Sequence, residues 1–391
     1  MKVLVVSHLY PYPGVNRHLF VHEQCRALRD LGVEVRVISP TPWTPRVLQL
    51  TPRLRRRGGK PPSAIRDGIA ADYPRFLQPP RRIVFDRLGD LAYRRVRLLP
   101  CLQQERFDLI HAHQALPDGA IAEHLAHDLG VPFVVTMHGT DVHQGLSGGG
   151  AVAKRIAAVL RSAAAVVVVS PTLARKLAAR VTLATARVVP NGGPTDTSAA
   201  VPADFLPGRS VVLSAGRLVP GKGFEHVLEA AARLGDAHGD VVVAIAGDGD
   251  QRRRLESLAA DLGLGDRTRF LGHLEPHDLM RMMARADVFA LPSAPEGFGL
   301  VHLEAMTQGT PVIACRDEGP ADFLEDGVSG YLVPYGDVAE LTKVLSRALD
   351  DPAHAASVGE AGRAVSRSFT WKRNAGRMLE IYTQVAGGDR A

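Results

Sequence analysis

The chain has 391 residues, enough for two or three domains, and its 46% hydrophobic and 23% charged content is that of a globular protein, not a fibrous or disordered one. The net charge of +6 is split: residues 1–190 hold 27 Lys+Arg against 13 Asp+Glu, and residues 191–391 hold 20 against 28, so a basic half is expected to meet an anionic surface or ligand. Aromatics are only 5%, no apolar run approaches the roughly eighteen residues of a membrane span, and Cys25, Cys101 and Cys315 lack metal-ligand spacing, which argues against a nucleic-acid partner, a spanning helix, a disulfide framework and a zinc site.

The first residues run straight into a strand pattern whose apolar run is too short for a signal peptide, so a cytoplasmic location is expected. The first half predicts strands over 3–7, 33–39, 108–112, 133–137, 165–170 and 187–190. A loop containing Gly14 and Asn16 follows the first strand, and a helix is predicted over 18–31. Residues 41–80 read as irregular, rich in Pro, Arg and Gly, with Arg53, Arg55, Arg56 and Arg57 close together. A basic helix is predicted over 81–99, with Arg81 and Arg82 in its first turn. This region reads either as a surface for an anionic membrane or acceptor, or as a solvated face over ordinary core. His111 and His113 alternate with apolar neighbours and share one strand face, while His138 and Asp141 fall just beyond the next strand. The uninterrupted valines 166–169 predict a strand covered on both faces.

Residues 191–208 contain Gly192, Gly193, Pro194, Pro202, Pro207 and Gly208 without apolar period, and read as a linker. Beyond it, strands are predicted over 210–215, 241–246, 269–271, 288–291, 311–314 and 330–333. Two sets of strand–helix–strand repeats imply an α/β protein of two Rossmann-like domains with parallel sheets, facing across a cleft. Ligands of such sheets bind outside the carboxyl ends of the strands, so residues just after strands carry the information. Ser214-Ala215-Gly216-Arg217-Leu218-Val219-Pro220-Gly221-Lys222-Gly223 offers a planar guanidinium and a mobile ammonium on a loop able to approach a phosphate closely. Ala294-Pro295-Glu296-Gly297-Phe298-Gly299-Leu300-Val301-His302-Leu303-Glu304-Ala305 places a glycine turn before a helix, with two carboxylates near the strand ends.

These two segments, in this order, resemble the retaining GT-B glycosyltransferases of family 4 (glycosyl transferases group 1). Val188-Val189-Pro190-Asn191-Gly192 resembles the family's interdomain segment, Phe270-Leu271-Gly272 its base-binding strand, and Val134-Val135-Thr136-Met137-His138-Gly139-Thr140-Asp141 its histidine motif. The resemblance implies an acceptor-binding domain over 1–190, with a final helix over about 372–391 crossing back to it, and a nucleotide-sugar-binding domain over 209–371. It implies a chemical role for His138, Glu296, Arg217 and Lys222. Donor contacts are implied for Gly14, Arg217, Lys222, Leu274, Glu296, Gly297, Phe298, Gly299, Leu300 and Glu304, and acceptor contacts for Asn16, His111, His113 and Asp141. The implied reaction moves a sugar from a UDP- or GDP-sugar to a glycan, lipid-linked or small-molecule acceptor; the basic first half adds the expectation of peripheral contact with an anionic membrane. No cofactor or metal is implied, because the nucleotide sugar is itself a substrate. The chain departs from the family in having Gly14 alone where many members have two adjacent glycines.

Rival signals are weaker. Ala246-Gly247-Asp248-Gly249-Asp250 lacks the third glycine of a dinucleotide fingerprint, since position 252 is Arg252, and its D-x-D pattern reads as a turn and helix start. The alternatives are a nucleotide-sugar epimerase or phosphorylase on a similar fold, or an inactive nucleotide-sugar-binding subunit.

Overall fold

The computed structural model describes residues 1–16, 18–43, 60–77, 85–183, 186–195, 205–235 and 238–388. The arginines at 53, 55, 56, 57, 81 and 82, and residues 196–204 of the expected linker, lie outside them. The chain forms two compact units, residues 1–192 with 371–391 and residues 193–370. Each is a Rossmann-like α/β domain.

The first unit contains β1 (Lys2–Val6), β2 (Glu34–Ile38), β3 (Thr41–Trp43), β4 (Ser63–Arg66), β5 (Ile69–Asp72), β6 (Arg75–Leu77), β7 (Leu109–His113), β8 (Phe133–Met137), β9 (Ala165–Val168) and β10 (Ala186–Val188). Eight of these form one sheet in the order β10-β9-β8-β7-β1-β2-β5-β4, parallel except for β4 on the edge. The central strands β1, β7, β8 and β9 are almost wholly buried, as strands covered on both faces are, and β1 and β9 show it in their valine-rich runs.

The stretch expected to be irregular over 41–80 instead holds four short strands. Asp67 (φ 47°) and Gly68 (φ 75°) form a two-residue turn that folds β4 back onto β5. Asp-Gly is the strongest short hairpin signal, and it was there to be read between two short β-prone runs. The helix expected over 81–99 is shorter, running Leu88–Val96 after a single turn at Phe85–Arg87. It buries Leu88, Ala92 and Val96, one residue per turn, and leaves its arginines outward.

The helix Trp371–Gly387 packs on the helix Leu19–Asp30 of the first unit. Ala375, Met378, Ile381 and Tyr382 join Val21, Cys25 and Leu28 in one buried cluster with β1. Asn374 reinforces the seam, accepting from Gln24 Nε2 (2.7 Å) and donating to the Pro190 carbonyl (2.7 Å).

The second unit contains β11 (Val211–Ala215), β12 (Val242–Ala246), β13 (Thr268–Gly272), β14 (Val288–Leu291), β15 (Val312–Cys315) and β16 (Tyr331–Val333), in one parallel sheet ordered β13-β12-β11-β14-β15-β16. Both sheets reverse direction about their first strand. In the first unit β2 and β7 flank β1; in the second β12 and β14 flank β11. The loops leaving β1 and β7, and those leaving β11 and β14, must therefore diverge, and each divergence opens a crevice where open α/β sheets take ligands.

Candidate functional site

The crevice of the second unit is built by the two segments singled out from sequence. After β11, Leu218 is fully buried and its N–H donates to the Asp248 carbonyl (3.1 Å), anchoring the loop to the one that follows β12. Gly221 (φ +86°) and Gly223 (φ +77°) bracket Lys222. A Cβ on either would meet the backbone oxygen of Ala294 at 2.7 Å or of Pro292 at 2.6 Å. The lysine loop thus lies flat against the backbone leaving β14, at a distance only glycine permits. Ala294 N–H closes the contact by donating to Gly221 O (2.8 Å).

That approach brings Lys222 to Glu296. Lys222 Nζ donates to Glu296 Oε2 at 2.7 Å, and Ser293 Oγ donates to the same oxygen at 3.2 Å. Burial by itself would raise the Glu296 carboxyl, but the charge and hydrogen bond of Lys222, with help from His302 and Ser293, pull it down to about 2. It is a carboxylate across the neutral range. Glu318, just after β15, fixes the loop: its Oε2 accepts from Glu296 N–H (2.8 Å), while Gly319 N–H donates to Glu296 O (3.1 Å). Sequence reasoning missed Glu318 and Ser293. Their signal was position, since both follow the carboxyl ends of strands in this sheet.

Glu304 lies on the helix Leu300–Thr307, which Gly299 (φ +90°) opens. Among the described residues no hydrogen bond or ion pair holds its carboxyl, and burial raises it to about 7. A half-buried carboxylate without a partner is suited to a ligand offering two hydroxyls. Arg217 is exposed, and among the described residues its guanidinium makes no hydrogen bond or ion pair. Thus the structure joins Lys222 to Glu296 but leaves Arg217 and Glu304 reaching for partners outside the protein. Phe298 is buried against Phe323 and Phe369, at ring distances of 5.5 and 6.0 Å, so the ring expected at the donor is core and only its backbone is left for a ligand. Gly297 continues the same turn, Leu300 is half-buried at the helix start, and Leu274 is half-buried just after β13. His302 is fully buried, with Nε2 on the Leu291 carbonyl (3.0 Å), and burial lowers it to about 4.

In the first unit the histidines gather at the carboxyl ends of β7 and β8. His138 Nε2 and His113 Nδ1 share a hydrogen bond (2.9 Å) with rings stacked 5.2 Å apart, and Phe20 covers His138 at 4.7 Å. Burial holds His138 at about 3 and His113 well below its ordinary value, so both rings are neutral, one donating to the other. His138 Nδ1 and His113 Nε2 are buried without a hydrogen-bond partner among the described residues. The expectation for His111 is corrected. It has no exposed surface, and both nitrogens are taken, by Tyr382 OH and Thr136 Oγ1, each at 2.7 Å. It ties the C-terminal helix to the sheet and has no atom left for an acceptor. Asp141 is also buried, accepting Ala115 N–H at 2.8 Å. Burial raises its carboxyl to about 7. Its visible work is to hold the loop carrying Asp118.

The loop after β1 is held by Arg66, which sequence reasoning did not single out. Arg66 donates to Val15 O (2.8 Å) and to Asn16 Oδ1 (2.9 Å). Gly14 (φ +82°) is exposed at the loop tip with open space around it, and Asn16 is exposed beside it.

Residues 14–197 match the family described as Glycosyltransferase Family 4, and residues 202–365 match Glycosyl transferases group 1. The 2-deoxystreptamine glucosyltransferase of Streptomyces kanamyceticus is 32% identical over 93% of this chain and 98% of its own. Sucrose-phosphate synthase from Thermosynechococcus elongatus has the same fold, with a TM-score of 0.83 at 24% identity, covering 99% of each chain. The Anabaena protein HepE, crystallised with UDP-glucose, matches with a TM-score of 0.76 at 21% identity over 98% of this chain and all of its own. Two family matches that follow one another along the chain, and a relative alike over 93% of it, establish that this chain belongs to the group 1 glycosyltransferases of the GT-B fold.

Proposed function

We propose that the protein transfers a hexosyl group, with retention of anomeric configuration, from a UDP- or GDP-sugar to a glycan, lipid-linked or small-molecule acceptor, in cell-surface polysaccharide or glycolipid synthesis. The observation that carries this reading is the Lys222–Glu296 pair across the β11/β14 divergence, 2.7 Å long, with Arg217 and Glu304 unpartnered around it. In this reading Glu304 accepts the ribose hydroxyls. Arg217 and Lys222 bind the diphosphate and neutralise the charge it gains as it leaves. Lys222 has three N–H donors, and Glu296 occupies only one. Glu296, kept ionised, accepts from hydroxyls of the donor sugar, and the loop held by Glu318 keeps it in place.

The first unit is read as the acceptor-binding one, with the His138–His113 pair helping to position the acceptor. The bond from the anomeric carbon to the diphosphate breaks as the acceptor oxygen attacks the same face, and a donor phosphate oxygen takes the acceptor proton. Two cations on the diphosphate leave no step that requires a metal or other cofactor. The glucosyl transfer named for the Streptomyces relative makes a UDP-sugar the first donor to try. An epimerase, a phosphorylase or an inactive binding subunit is not favoured by these likenesses.

A thermal-shift and hydrolysis screen over UDP- and GDP-sugars tests the donor, and NMR of the product's anomeric centre tests retention. Replacement of Arg217, Lys222 or Glu296 by Ala is expected to lower transfer at least about tenfold, or about 1.4 kcal/mol of barrier. Smaller losses would remove the assigned roles. Membrane contact is proposed for the face around the helix Leu88–Val96. There an open groove of about 510 Å³ is lined by Trp43, Pro74, Arg75, Arg95, Leu98 and Leu99, and Leu98 is 60% exposed. Sedimentation with anionic vesicles at low salt checks it; no binding there would discard it.

A further inference from the structure

The first unit has its own divergence, between β1 and β7, and it too is bridged by an acid–base pair. His8 leaves β1 and Asp118 leaves β7. Asp118 Oδ1 accepts from His8 N–H at 3.0 Å and Asp118 Oδ2 contacts His8 Nδ1 at 2.8 Å. The aspartate is fully buried and grips both backbone and ring, so the imidazole has one orientation. With Nδ1 taken, Nε2 is the free corner of a ring that is 25% exposed.

Lys60 reaches the same place from the segment just before β4, near enough for its charge to act on His8. Its Nζ donates to Ser39 Oγ (3.2 Å), just past β2, and sits over the rings of Tyr73 (5.1 Å) and Tyr12 (6.0 Å). Ser7 N–H donates to Ile38 O (3.0 Å), so the ends of β1 and β2 are side by side. Lys60 and Asp118 are close enough for each charge to act on the other, but among the described residues no carboxylate pairs with the ammonium. Burial pulls Lys60 down to about 8, opposed by Asp118, so it is still mainly charged at neutral pH. Burial also opposes protonation of His8, but Asp118 outweighs it and the ring is raised. A half-buried ammonium resting on two aromatic faces and a hydroxyl, beside an oriented imidazole, has its hydrogen-bonding capacity unfilled.

We propose that His8 and Lys60 form an anion-binding subsite at the β1/β7 divergence, and that the sugar acceptor seats a phosphate group there. This rests on reading the first unit as the acceptor-binding one. It deepens that reading from an acceptor of any class to an anionic one, in keeping with the basic surplus of residues 1–190. The phosphate could belong to a soluble sugar phosphate or to a lipid phosphate headgroup; both present the same oxygens to His8 and Lys60.

The test uses the full chain and inorganic phosphate as first probe, followed by NMR of the His8 ring, identified by its absence in His8→Gln. Phosphate is expected to shift that resonance saturably with one site, whereas chloride at equal ionic strength does not. Lys60→Met keeps the apolar stem on the tyrosines and is expected to weaken phosphate binding about tenfold, the effect of one charge-assisted contact, while Lys60→Arg restores it. UDP affinity, governed by the other unit, is expected to be unchanged in all three variants. Glucose 6-phosphate and a water-soluble short-chain phosphatidic acid then distinguish the sources, and competition by either one supports the subsite. No saturable shift in the wild type, or equal phosphate binding in Lys60→Met, overturns it. Failure of nucleotide binding or of donor turnover would instead strike the transferase reading, which these phosphate measurements do not touch.

Discussion

Glu296 and Glu304 stand eight positions apart in one motif, yet their surroundings drive them in opposite directions. Glu296 has Lys222 within hydrogen-bond reach and is ionised throughout the neutral range; Glu304 has no partner and is held near 7. Lys222→Met is therefore expected to raise the Glu296 carboxyl and to destabilise the second unit, since a carboxylate that is largely buried loses its counter-charge. The double variant Lys222→Met with Glu296→Gln should recover part of the lost Tm without recovering transfer. Equal Tm in the single and double variants would contradict a coupled pair. Glu304 gives a pH prediction. Its folded value lies above the 4.5 of an unperturbed glutamate, so the folded state binds the extra proton and stability falls as pH rises from about 4.5 to about 7. Glu304→Gln removes that penalty and is expected to stabilise the protein at pH 8 by about 1–3 kcal/mol. The same change should weaken UDP binding. For the wild type, UDP affinity should strengthen between pH 6 and 8, because the ionised carboxylate is the better acceptor of ribose hydroxyls; calorimetric titration across that range checks it.

At the scale of elements, strand ends and the loops leaving them decide the chemistry. The glycines flanking Lys222 hold their loop against β14's exit at a distance that excludes a Cβ. Gly223→Ala would set a methyl 2.6 Å from the Pro292 carbonyl in a left-handed backbone. Its cost is expected to be about 1–3 kcal/mol of strain, with a larger loss of nucleotide affinity as Lys222 moves from Glu296. The C-terminal helix is an element of another kind, pinned by the buried Tyr382–His111–Thr136 chain of hydrogen bonds. Tyr382→Phe leaves His111 Nδ1 buried and unpaired, so a loss of about 1–3 kcal/mol is expected in denaturant unfolding. No change in the unfolding midpoint would show that the ring packs without the hydrogen bond mattering.

At the scale of the whole molecule, one unit is contiguous in sequence and the other is not. Residues 193–370 are expected to fold alone and bind UDP within about tenfold of the full chain's affinity, a difference of about 1.4 kcal/mol. Residues 1–192 alone lack Met378, Ile381 and Tyr382 over Val21, Cys25 and Leu28. At about 1.5–3 kcal/mol per large side chain, that loss rivals the stability of a domain, and the fragment is expected to aggregate. Adding residues 371–391 back through a linker should restore it, and a soluble, cooperatively folding 1–192 fragment would contradict the discontinuous core. What the sequence by itself determined here is local and periodic: two sets of alternating strands and helices, the phosphate-suited loop around Lys222, the turn before Glu304, the valine runs of the buried sheet. What it could not decide depends on strands far apart in the chain becoming neighbours. Nothing local in His111 distinguishes it from His113, and only the arrival of Tyr382, 271 residues later, commits the first to packing. Glu318 and Asp118 earn their places in the same way, by strand order. Side chains from distant segments meet where parallel strands end side by side or where a helix packs back on the sheet, and that adjacency belongs to the fold, not to any stretch of sequence.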